Sequence, residues 1–124
     1  MNNKEFSKKL ISRAYRLARR TIVLVDKFPQ KRSAWVVSDQ LLRSITSIGA
    51  NIIEAQAASS KRDFINFLNH ALKSANEANF WLSLSKDLAP NSHLKEIDSL
   101  LKEAKELSKI LGSSIATLKG KKKF

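Results

Sequence analysis

Apolar residues recur along this chain at intervals that alternate three and four, the period of a helix buried on one side. No stretch sustains the strict alternation of a half-buried strand. Four such segments are readable. The first, from about Asn3 to Phe28, carries Phe6, Leu10, Ala14, Leu17, Thr21, Leu24 and Phe28 on one face. Pro29 is expected to end it, because proline drives the preceding residue out of the α region. The second is expected to start at Ser33, whose hydroxyl suits an N-cap, and to run to Ala57 or Ala58 with Val37, Leu41, Ile45, Ile48, Ile52 and Ala55 inside. In the third, Ser60-Lys61-Arg62-Asp63 reads as a capping box with Asp in place of Glu. Phe64, Leu68, Ala71, Ala75, Ala78, Leu82 and Ser85 then form the seam, and Pro90 closes the segment. The fourth begins near Ser92 and carries Leu94, Ile97, Leu101, Ala104, Ser108, Leu111, Ile115 and Leu118, with Gly120 just past its end.

Each segment is roughly 25 residues, about 35–40 Å at 1.5 Å per residue. The links between them are short, which makes neighbouring helices antiparallel. The reading is an all-α fold, an up-down-up-down antiparallel four-helix bundle in one domain over residues 1–120, followed by a basic tail over 121–124. A chain of 124 residues holds one modest core, and three glycines and two prolines are too few for the many turns of an all-β fold.

A bundle helix needs one apolar stripe about 100° wide, yet the second segment spreads apolar residues over about 160°. Trp35, Leu42 and Ile53 lie at the margin of its seam, and the third segment adds Trp81, Leu84 and Leu88 away from its own. One reading is an irregular core with scattered exposed residues. The other, taken here as the expectation, is a homo-oligomer that buries these six side chains, with the tryptophans as anchors.

Charge adds a second asymmetry. Lys and Arg number 23 against 11 Asp and Glu, a net +12. Residues 1–32 hold ten basic and two acidic side chains, whereas residues 33–58 hold one and two. Lys9, Arg13, Arg16, Arg20 and Lys27 fall within about 60° of the first helix, on the side away from its apolar seam, and Arg19 lies nearby. Like charges at this spacing repel, so the ridge weakens its own helix unless an anion neutralises it. Phosphate does so well, with counterion release as the driving force. Nucleic acid, RNA or DNA, is therefore the expected partner. A basic face that only confers solubility, or that docks an acidic protein partner, is the alternative.

Other chemistry is poorly provided for. There is no cysteine, no Gly-rich phosphate loop, no nucleophile elbow and no His pair on one helix face, so neither enzyme activity, metal nor cofactor is expected. His70 and Glu77 share a face but make an incomplete site, and His93 reads as a turn residue. Asn51 and Glu54, with Arg62 after the next connection, border an apolar face and read as a structural polar group, within or between subunits; Glu77 is placed with them. The longest aliphatic run, Ile22-Val23-Leu24-Val25, is far short of a membrane span, and the N-terminus lacks a signal-peptide pattern. No membrane association and a cytoplasmic location are expected.

The stretch Ser47-Ile48-Gly49-Ala50-Asn51-Ile52-Ile53-Glu54-Ala55, with Asp63-Phe64-Ile65-Asn66-Phe67-Leu68 and Ala71-Leu72-Lys73-Ser74-Ala75-Asn76-Glu77, resembles a known four-helix-bundle protein family. That family includes proteins encoded in intervening sequences of large-subunit ribosomal RNA genes and the accessory variability protein of diversity-generating retroelements. The resemblance covers about residues 17–90, Phe28-Pro29 included. It departs at Ala55, where the family has Gly, and at Lys73, where it has Gly before Ser. It implies a helical bundle assembling into a five-fold ring, a pentamer, with no established catalytic residues. For the retroelement member it also implies a basic surface that binds nucleic acid and a reverse transcriptase.

Overall fold

In the computed structural model, which describes residues 3–120, the four periodic segments are four helices: α1 (Asn3–Val25), α2 (Arg32–Gln56), α3 (Lys61–Ser85) and α4 (Leu94–Leu118). A 3₁₀ turn, Asn91–His93, leads into α4. The basic tail expected over residues 121–124 lies outside the described residues. Neighbours in sequence pack side by side, and α4 returns to touch α1, closing the bundle.

Cross-helix pairs establish the direction of each helix. Arg13 meets Glu103 and Arg20 meets Glu96, so seven residues forward on α1 is seven back on α4. Asn79 with Ser108 and Lys86 with Asp98 show the same reversal between α3 and α4. The helices therefore run up, down, up and down.

The expected seams are the core. Leu10, Ala14, Leu17, Thr21, Leu24 and Phe28 of the first seam, all six named positions of α2, and Leu68, Ala71, Ala75, Ala78, Leu82 and Ser85 of the third are buried. Phe6, Phe64, Leu94 and Leu118 sit half-buried at the bundle ends and pack against the core, as does the more central Leu42. The 3-4 pattern on α4 passed over Leu100 and Leu107, both fully buried; they widen its inward face. Buried hydroxyls are satisfied within their own helices: Thr21 Oγ1 donates to the Leu17 carbonyl at 2.8 Å, and Ser44 Oγ to that of Leu41 at 3.0 Å. Gly49 lets α1 approach α2 closely, since a Cβ there would stand 3.3 Å from that of Ala14.

The helix ends correct three expectations. α1 stops at Val25 rather than Phe28, and the chain tightens into i→i−3 bonds, Lys27 N–H to Leu24 and Phe28 N–H to Val25, before Pro29. Ser33 is not the cap of α2: the chain leaving Pro29 is extended only to Lys31, which takes the N-cap position without a side-chain bond and leaves Ser33 in the first turn. Ser92 likewise lies inside the 3₁₀ turn that Pro90 starts, so α4 begins two residues later. The Ser60 cap is as expected, its Oγ accepting from the Asp63 N–H at 3.0 Å. The Asp63 carboxylate reaches back to Ser59 N–H, one residue beyond the usual partner. Among the described residues, no helix is long and apolar enough to cross a membrane.

Candidate nucleic-acid interface

The cations of α1 divide into two groups. Arg13 and Arg20 project from the edge of α1 that faces α4. Arg13 makes a bidentate bond to Glu103, Nε and Nη2 donating at 2.9 and 2.7 Å, with both side chains more than two-thirds buried. Arg20 Nη2 donates to Glu96 at 2.6 Å and to Ser99 Oγ at 2.7 Å. Hydrogen bonding from Arg13, aided by the nearby positive charge of Arg16 and Arg20, holds the Glu103 carboxyl below its ordinary range despite partial burial; the same bond holds the Arg13 proton more firmly. These two residues therefore depart from the expected free ridge. The sector is not wholly turned to solvent, because α4 docks along its edge and supplies carboxylates.

Lys9, Arg16, Arg19 and Lys27 are exposed and take part in none of the three ion pairs found among the described residues. Beside them a cleft of about 450 Å³ runs between α1 and α4, lined by Arg13, Arg16, Leu17, Arg20, Ser99, Lys102, Glu103 and Glu106. Four cations and two carboxylates share this cleft. It can hold an anion on Arg16 and Lys102 while the paired arginines keep its walls in place.

The expected interface side chains also divide. Trp35 and Ile53 are more than half exposed, and Leu84 lies at the margin of exposure. Leu42 and Trp81 pack partly against the core, Leu88 is half-buried, and Trp81 Nε1 donates to Glu77 at 3.0 Å. Large exposed apolar residues that the α1 seam did not reveal are Tyr15 and Ile22, with Ile11 and Ala18 half-buried between and beside them. Their spacing of 11, 15, 18 and 22 is a second helical stripe, readable once the first is set aside.

The structural polar group is not assembled within one chain. Asn51 Nδ2 donates to the Ser47 carbonyl of its own helix at 2.9 Å, while Glu54 and Arg62 are exposed. Asn51 satisfies itself locally because a carbonyl one turn back is nearer than any neighbouring helix. His70 is exposed beside the Phe67 ring, and no group of three metal-ligating side chains occurs among the described residues.

Four antiparallel helices carrying an excess of cations on α1 and α4 define a basic helical-bundle protein. The model for "23S rRNA-intervening sequence protein" matches residues 7–113, and the chain belongs to this family. A solved structure of a protein of unknown function from the S23 ribosomal protein family of Bacteroides thetaiotaomicron is similar, with 37% identity and a TM-score of 0.76. The similarity covers 88% of this chain and 96% of that one. No curated protein matches.

Proposed function

We propose that this chain is a non-enzymatic, homo-oligomeric scaffold that binds nucleic acid in the cytoplasm. The observation that carries the reading is the set of exposed cations on α1, Lys9, Arg16, Arg19 and Lys27, flanking the α1–α4 cleft without carboxylate partners. Phosphates supply the missing negative charge and release counterions as they bind. The ribosomal RNA in the family's name supports RNA as the first ligand to try. Exposed Trp35, Ile53, Tyr15 and Ile22 support self-association, since they are large apolar groups with little in one chain to cover them. The pentamer and the reverse-transcriptase partner belong to this reading through the family resemblance.

The test is binding of a random-sequence single-stranded RNA by the wild type and by an Arg16→Glu/Arg19→Glu variant. The reading expects the variant to keep its helical spectrum and melting temperature and to lose about tenfold or more in affinity at moderate salt. Equal affinity would overturn it. A second reading, docking of an acidic protein, has its own support: Glu96 and Glu103 show that this cleft accepts carboxylates. Nuclease treatment before pull-down separates the two, because only a protein partner survives it. For self-association, light scattering is expected to give a multiple of the 14.0 kDa chain mass, and a monomer at micromolar concentration would remove that part.

A further inference from the structure

We infer that the nucleic-acid footprint has a second contact at the far end of α4: a phosphate-binding pocket formed by Lys61, Arg62 and Lys119 with Asn66 and Asn69. The inference rests on the nucleic-acid reading above. These residues, with Ile65, line a cleft of about 410 Å³ where the start of α3 meets the end of α4. In contrast to the α1–α4 cleft, no carboxylate lines it, and none of its three cations enters an ion pair found among the described residues.

The placement of two of these cations is costly without a ligand. Lys61 and Arg62 open α3, where the helix dipole favours acidic side chains and penalises basic ones by a few tenths of a kcal/mol or more. Asp63, the acid in this first turn, is engaged with Ser59 N–H. A phosphate between Lys61, Arg62 and Lys119 reverses that penalty and neutralises three cations drawn from two helices. Asn66 and Asn69, about a turn further along α3, offer amide donors and acceptors to the adjoining sugar or base.

A path joins the two contacts. Lys102, Lys105 and Lys109 are exposed and lie within about 60° of one another on α4, the helix shared by both clefts. Lys102 lines the first cleft and Lys119 the second, about 25 Å apart along the helix at 1.5 Å per residue. One strand following α4 is thus held at both ends, with lysines between.

The test uses full-length protein and a random-sequence single-stranded RNA at several salt concentrations. A Lys61→Glu/Arg62→Glu/Lys119→Gln variant is expected to fold normally, since acids suit the start of α3. Its log K against log salt plot is expected to be shallower than that of the wild type by about 2, from three lost phosphate contacts at about 0.7 each. The Arg16→Glu/Arg19→Glu change is expected to lower the slope separately, the two effects adding. Wild-type binding with an unchanged slope in the folded triple variant overturns the second contact and leaves the α1 contact standing. A wild type that does not bind RNA overturns both.

Discussion

The α2–α3 seam and the α1–α4 seam belong to one bundle but are closed by different chemistry. Between α2 and α3, the most extensive contact in the molecule, Ile45, Ile48 and Ile52 stand in a fully buried layer with Ala71, Ala75 and Ala78, whose small side chains allow close approach. Between α1 and α4, which touch least of the adjacent pairs, ion pairs at Arg13–Glu103 and Arg20–Glu96 lie across the gap, and a cleft lined by cations remains open beside them. Stability is concentrated in the first seam. The second gives up close packing and keeps charge where a ligand can reach it.

The largest expected effect breaks the apolar seam. Ile48→Ala removes a fully buried side chain and should lower unfolding free energy by about 2–5 kcal/mol in urea titration. Ala75→Leu, at a position with no exposed surface, should cost about 1–3 kcal/mol by overpacking. Equivalent losses from Glu103→Gln would erase the contrast. That substitution acts on a partly solvated pair and should cost no more than about 1 kcal/mol near neutral pH. Its pH dependence sharpens the comparison. Because the folded Glu103 carboxyl titrates below its unfolded value, the wild type's advantage should be complete above the ordinary carboxylate range and vanish as pH falls through the lowered value. A gap between the two proteins that persists in strong acid would contradict the assignment. The smallest effect belongs to the surface: Trp35→Ser, at an exposed site, should leave chain stability within about 0.5 kcal/mol while weakening self-association measured by light scattering.

Much of the apolar seam was legible because burial follows a 3-4 period, and the inward residues of α1, α2 and α3 fall on it. Leu100 and Leu107 escaped because one helix can bury more than a single row. The helix starts were less legible where no side chain caps them: Ser33 and Ser92 suit the role by composition, but the backbone leaving each proline decides where the helix begins. Of the candidate interface, the excess of cations was visible and its partition was not. Arg13 and Arg20 are seven apart, as are Glu96 and Glu103, and two such pairs on antiparallel helices come opposite one another only when the register is known. The pocket of Lys61, Arg62 and Lys119 was beyond reach of the sequence, since it joins residues almost sixty positions apart.

The central claim is that the exposed cations beside the α1–α4 cleft engage nucleic-acid phosphates. Its most direct measurement is the equilibrium constant of the full-length protein for single-stranded RNA as a function of salt. The account predicts a straight fall of log K with log salt at a slope of about −2 or steeper, the signature of three or more phosphates neutralised at about 0.7 each. Affinity that does not change with salt, or no binding at low salt, would contradict it.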